Sequence, residues 1–253
     1  MPRPVRVIAR AAWLLAGALA LAGCGGGQAQ QHDGPDAGGT VGLVSSLPLV
    51  MPESEDIAGL LADESAPHWA LAVLREHGEI KPLDSLADQQ DALPLPAQAL
   101  LVMVQPWPLS PQENVALDEW VRAGGRVLLF ADPMLTFESR FALGDRRRPQ
   151  DVAMLSPILA RWGLRLERDE TIAPEPFLAE IAGARVPVTL PGRFALLEGS
   201  SCALESQGLL ADCRIGKGRV VAISDAALFE MREDDAQQSR AVALRALMDR
   251  LSR

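Results

Sequence analysis

Histidine and cysteine are scarce in this chain of 253 residues, with three of each, and no apolar run in it is long enough to span a bilayer as an ordinary helix. Each shortage excludes a class of function. His32 lies in a glycine-rich polar stretch, while His68 and His77 flank a predicted helix nine positions apart and cannot share its face at i, i+4 spacing. Each reads as an exposed or capping residue, not as a base or a ligand. Cys202 and Cys213 lack C-x-x-C spacing and further ligands, so no metal site is expected. A hydrolase needs a nucleophilic Cys or Ser on a tight strand-to-helix turn, with histidine as base. The clearest such turn here reads Gln105-Pro106-Trp107, and there is no G-x-S-x-G. Gly216-Lys217-Gly218 is followed by Arg219, where a P-loop has Ser or Thr after its lysine. No G-x-G-x-x-G follows a strand and opens a helix, so no cofactor is expected.

Positive charge is short as well. Against 33 acidic residues stand 24 basic ones, a formal charge of -9, which argues against nucleic acid and anionic lipid surfaces as partners. The one basic cluster, Arg146-Arg147-Arg148, reads first as a solvated loop and second as a contact for an acidic partner or anionic ligand.

What is present begins with an address. MPRPVRVIARAAWLLAGALALAGC carries Arg3, Arg6 and Arg10, then an uncharged run from Ala11 to Ala22, then small residues before Cys24. That is the layout of a secretory signal. Leu21-Ala22-Gly23-Cys24 looks like a bacterial lipoprotein box, which predicts cleavage before Cys24 and acylation of its thiol, a membrane anchor by lipid. Loss of residues 1–23 removes three arginines and leaves 21 basic against 33 acidic residues, a charge of -12. Gly25 stands where an aspartate would signal inner-membrane retention, so the expected site is the periplasmic face of the outer membrane. Residues 25–40, GGGQAQQHDGPDAGGT, read as a flexible tether, and 41–253 as one folded domain with ample hydrophobic content for a core.

In an exported chain the remaining cysteines are expected to pair. If Gln207-Gly208 is a two-residue hairpin turn, Glu205 faces Leu210 and Cys202 faces Cys213, within disulfide reach.

VGLVSSLPLV at 41–50 predicts a strand and a loop, PHWALAVLREHG at 67–78 a helix, and EIKPLDSL at 79–86 a weak strand with Pro82 marking an edge. Residues 99–133 make the clearest unit. Leu100–Val104 is a doubly buried strand, and Ser110, Pro111 and Glu113 form a capping box that starts a helix. Gly124-Gly125 stop that helix, and Arg126–Ala131 make a second strand parallel to the first. A helix is expected from Ser156-Pro157, closed by Gly163, and a strand at Leu164–Arg168. VPVTL, FALLE, CALES and LLADCRI predict an antiparallel ribbon that rejoins the main sheet at RVVAI. A last helix carries Val242, Leu244, Leu247 and Leu251 inward. The order implies a three-layer α/β sandwich, flavodoxin-like or glutamine-amidotransferase-like, mostly parallel with an inserted antiparallel hairpin.

PLSPQENVALDEWVRAGGRVLLFADP and CRIGKGRVVAISDAALF resemble two segments of the GldG-like proteins, auxiliary components of an uncharacterised ABC transport system, and of related domains with an amidotransferase-like fold. The matching positions include Gly216-Lys217-Gly218, Val220–Ile223, Asp225 and Phe229. Ser224 departs from the glycine frequent before that aspartate, and a lipid anchor replaces the family's usual transmembrane segments. The resemblance implies a transport-linked accessory role and supplies no catalytic residues.

In an open parallel sheet, ligands bind beyond the carboxyl ends of the strands. The residues expected there are Ser45, Ser46, Gln105, Asp132, Ser224 and Asp225, a rim chosen by topology, with turn-forming and capping as the plainer role of each. The leading expectation is a non-enzymatic lipoprotein that binds an envelope or ABC-transport protein. Next comes a periplasmic small-ligand or glycan-binding module, and last an unrecognised hydrolase.

Overall fold

A computed structural model describes residues 39–54, 67–168, 171, 175–230 and 237–252. The predicted signal, Cys24 and most of the tether lie outside the described residues. In chain order, β1 (Gly39–Ser45) leads through α1 (Trp69–Arg75) to β2 (Gly78–Pro82). Then come β3 (Leu100–Val104), α2 (Pro111–Ala123), β4 (Arg126–Phe130), α3 (Ser156–Arg161) and β5 (Leu164–Arg168). The strands β6 (Phe177–Ile181), β7 (Ala184–Val188), β8 (Gly192–Leu196), β9 (Cys202–Glu205), β10 (Leu210–Ile215) and β11 (Gly218–Ile223) follow, and α4 (Gln237–Ser252) ends the fold.

Seven strands make the main sheet in the order β2-β1-β3-β4-β11-β10-β9. The five from β2 to β11 are parallel, and β10 and β9 run antiparallel at one margin. The central strands are buried on both faces, so their side chains alternate between two cores. Leu100, Val102, Val104, Leu128, Phe130, Val221 and Ile223 join α1, α4 and the β6–β7 hairpin on one face. Leu101, Met103, Val127, Leu129, Val220 and Ala222 join α2, α3 and residues of β5 and β8 on the other. This is the expected three-layer α/β sandwich.

The expected capping box is complete. Ser110 Oγ accepts from Glu113 N (3.2 Å), and Glu113 Oε2 accepts from Ser110 N (2.9 Å). Pro82 ends an edge strand, as expected. The register Cys202↔Cys213 and Glu205↔Leu210 is as derived, and the disulfide is formed. The turn is longer than the expected two residues: Ser206, Gln207 and Gly208 all have positive φ (50°, 59° and 91°), and the ladder stops at Glu205↔Leu210, which leaves residues 206–209 as the loop.

Two expectations need correction. The antiparallel segments do not make one ribbon: the first three residues of VPVTL lie in β7, paired with β6, and the first three of FALLE in β8, paired with β5, each pair a separate two-stranded sheet. Only β9 and β10 carry the antiparallel margin back to β11. The helix α3 starts at Ser156, as expected, with Leu155 before it making no side-chain cap bond. On α4, Leu244, Leu247 and Leu251 are buried, but Val242 is exposed and Arg240 is buried instead.

Candidate functional site

The carboxyl ends of β1, β3, β4 and β11 bring the predicted rim together, but as an interior seam. Ser46, Gln105, Asp132, Ser224 and Asp225 are all buried. Gln105, just past β3, sits at φ 45° and extends the ladder through its N–H to Phe130 O (2.9 Å). Its amide then works as a clasp. Nε2 donates to Asp132 O (2.9 Å) and Gln150 O (2.8 Å), while Oε1 accepts from Asp132 N (2.8 Å). Ser46 Oγ donates to Gln105 O (2.5 Å) and accepts from Gln150 N (3.0 Å). Ser45 Oγ only closes a local turn to Leu47 O (3.0 Å).

Two carboxyl groups occupy the far side. Asp132 accepts from Met134 N (2.8 Å) and Ala226 N (3.1 Å), so it ties the end of β4 to the chain after β11. Asp225 accepts from Ala227 N (2.7 Å) and Thr189 N (2.9 Å), and Ser224 Oγ donates to Gly192 O (2.7 Å). Burial pushes Asp132 up to about 7, helped by the charge of Glu230 and opposed by its two backbone bonds. Burial also raises Asp225 well above the ordinary carboxyl range, with Asp132 as the largest nearby charge.

The sequence did not point to Glu230 or Arg240, whereas His68 has the capping role expected of it. Glu230 is buried and accepts from Thr136 Oγ1 (2.6 Å). Arg240 Nη1, reaching from α4, donates to Ala227 O (2.6 Å) and Leu228 O (2.8 Å). His68 caps α1, its Nδ1 accepting from Ala70 N (3.2 Å), and its Nε2 lies 3.2 Å from Phe229 O, where it can only donate. Burial lowers its pKa and favours that neutral form. A charged residue within an amphipathic helix carries no local signal that it points inward, so only the packing reveals Arg240.

Open space lies beside this seam. A cleft of about 510 Å³ is bordered by Trp107, Asp145, Arg146, Arg148 and Gln150. A second, of about 410 Å³, is lined among others by Ser46, Val50, Met51, Trp107 and Phe141. Trp107, Val50 and Met51 are exposed, a concentration of apolar surface at one edge of the sheet. In the basic cluster, Arg147 pairs with Asp145 (2.8 Å) and lies over the Phe141 ring (4.2 Å), and Arg148 pairs with Asp151 (3.2 Å). Asp132, Ser224 and Asp225 border neither cleft. Among the described residues no group of His, Cys, Asp and Glu has a metal-binding arrangement, and no helix is long and apolar enough to cross a membrane.

No curated protein matches the chain. Among solved structures, it is similar to Gan42B, a GH42 β-galactosidase from G. stearothermophilus, at 13% identity and TM-score 0.47, over 85% of this chain and 30% of that one. It is similar to the exo-β-1,4-mannosidase Op5Man5 from Opitutaceae bacterium strain TAV5 at 14% identity and TM-score 0.45, over 86% and 34%. Cytoplasmic protein STM1381 from Salmonella typhimurium LT2 aligns at 11% identity and TM-score 0.45, over 84% and 99%. The chain thus spans about a third of the length of these glycosidases. A family model matches residues 39–184, which takes in the whole β3–α2–β4 unit and leaves the second resembling segment, at 209–229, outside. With more than half of its 253 residues matched, the chain belongs to the ABC-transport auxiliary family, described as an ABC-type uncharacterized transport system.

Proposed function

We propose that this chain is a non-catalytic auxiliary component of an envelope transport system, anchored by lipid at Cys24 and facing the periplasm from the outer membrane. It binds a protein subunit of that system. One observation carries the reading. The polar residues at the carboxyl edge are spent on internal hydrogen bonds, while Val50, Met51 and Trp107 beside them remain exposed. A catalytic edge would present polar groups with free valences, whereas a docking edge presents apolar anchors, tryptophan above all.

A photo-reactive amino acid at position 107, introduced into the full chain in its native envelope, tests this. The expected result is a discrete adduct with a transport-system subunit, absent when the same probe replaces Val242, which is exposed on α4. Equal labelling from both positions, or none from 107, would overturn it. Cys24→Ser is expected to move the protein from the membrane to the soluble fraction. Retention in the membrane would contradict the lipid anchor.

A glycan or other small ligand is the second reading, favoured by the exposed Trp107 beside the Asp145, Arg146 and Asp151 groups of the larger cleft. An indole flanked by charged hydrogen-bonding groups suits the apolar face and hydroxyl rim of a sugar. Saturable oligosaccharide binding lost in Trp107→Ala, without any adduct, would favour it. Turnover of esters, amides or phosphoesters lost on Asp132→Asn would favour a hydrolase instead.

A further inference from the structure

At the opposite edge, where β4 and β11 begin, the ends of α2 and α3 and the β10–β11 turn enclose a cleft of about 290 Å³. Arg122, Arg161 and Arg214 line it with Ser200 and Ser201, and Glu198 is the one carboxylate among the lining side chains. Two of these cations share a single anchor. Asp118 Oδ2 accepts from Arg122 Nε (2.9 Å) and from Arg161 Nε (3.0 Å) and Nη2 (2.8 Å). Asp118 is itself buried. Arg214 is exposed and has no ion pair among the described residues. Local charge is therefore positive in a protein that is acidic as a whole.

Arginines often sit near helix ends to answer unpaired carbonyls. Here other donors answer them. Lys217 N donates to Arg122 O (3.0 Å), Gly163 N to Ala160 O (3.0 Å), Leu197 N to Gly163 O (2.9 Å) and Ser201 Oγ to Arg214 O (2.7 Å). Both Nη groups of Arg122, Nη1 of Arg161 and the whole Arg214 fork are left without an acceptor among the described residues. Ser200 Oγ accepts from Cys202 N (3.2 Å), which leaves its proton to donate. The backbone keeps the space clear. Gly163 and Gly216 adopt φ of 81° and 61°, and a Cβ on Gly163 would lie 2.8 Å from Ser200 Oγ.

We propose that this cleft binds a phosphate-type oxyanion, held by the guanidinium forks of Arg122, Arg161 and Arg214 and by the Ser200 hydroxyl. Planar forks and tetrahedral oxyanions match in geometry and charge. The ligand is either free phosphate or the phosphate of an anionic lipid headgroup.

Calorimetric titration of the full-length protein in uncharged detergent with inorganic phosphate, against chloride at matched ionic strength, tests the site. Phosphate is expected to bind saturably, and Arg214→Ala to weaken it at least tenfold with an unchanged melting midpoint. Arg161→Ala also weakens it, but at a lowered midpoint, because buried Asp118 loses two donors. Phosphate acting no better than chloride, or Arg214→Ala binding like the parent, would overturn the proposal. Reconstitution separates the two sources. Phosphate binding lost in vesicles containing phosphatidylglycerol but kept in phosphatidylcholine identifies a headgroup, and binding kept in both identifies a free oxyanion.

Discussion

Burial holds the Asp132 carboxyl at about 7 and Asp225 higher than usual, so the folded chain binds protons that the unfolded chain releases near 4. The sign follows from linkage. A carboxyl with a raised folded pKa contributes stability that is complete below its unfolded value and is lost as pH rises through the folded value. For Asp132 that window runs from about 4 to about 7. The expected slope is about 1.4 kcal/mol per pH unit for each proton so held. Arginine-paired carboxylates such as Asp118 and Asp212, whose pKa values are lowered, act oppositely and only below the ordinary carboxyl range. Urea midpoints are therefore expected to peak near pH 4–5 and decline toward pH 8, an unusual direction for an acidic protein. Glu230→Gln removes a like charge and should flatten the decline, and an identical profile in that variant would refute the coupling. Gln105 invites a separate test. Gln105→Leu keeps the bulk but strands the Asp132 N–H and two carbonyls, at a cost of about 2–4 kcal/mol by chemical denaturation.

The helix α2 shows how much a local signal can specify. Glu113 completes the capping box through Oε2, and through Oε1 it also accepts from Leu86 N (3.0 Å) and Ser85 Oγ (3.0 Å), which ties the loop after β2 to the helix start. Ser110→Ala removes one cap bond and should cost about 1 kcal/mol. Glu113→Ala loses the cap and the tie together and should cost measurably more in the same denaturation assay. The cap, its proline, the glycine stop and the apolar strands were all legible at 99–133, because each is set by neighbours within a few residues. The hairpin register at Cys202–Cys213 was legible for the same reason. The partners of β7 and β8 were not, since alternation reveals a strand but not which distant strand it meets. β6 carries a weak signal because its FLAEI pattern hardly alternates, with Phe177 and Leu178 exposed side by side. The candidate rim was legible in position and misleading in character. Topology places residues at strand ends, but only three-dimensional packing shows Asp132 and Asp225 covered by the chain at 189–192 and 226–230.

At the scale of the molecule, two cores share one sheet, and the sheet is not assembled in sequence order. β4 ends at Phe130, yet its neighbour β11 begins only at Gly218, with the remaining strands of the antiparallel margin in between. A chain truncated after Ile215 keeps β1 to β4 but presents the open side of β4, with Val127–Phe130 apolar toward both faces. That truncation is expected to yield insoluble protein, as measured by the soluble fraction on expression, whereas removal of β9 alone would leave the central pairing intact.

The late arrival of β11 also sets a clock. Nearly ninety residues separate the two strands, and at about 5–20 residues per second their synthesis takes roughly 5–20 s. For that interval the nascent half-sheet carries an unpaired, greasy border along β4. Whatever escorts this chain must shield that border until Gly218–Ile223 is delivered.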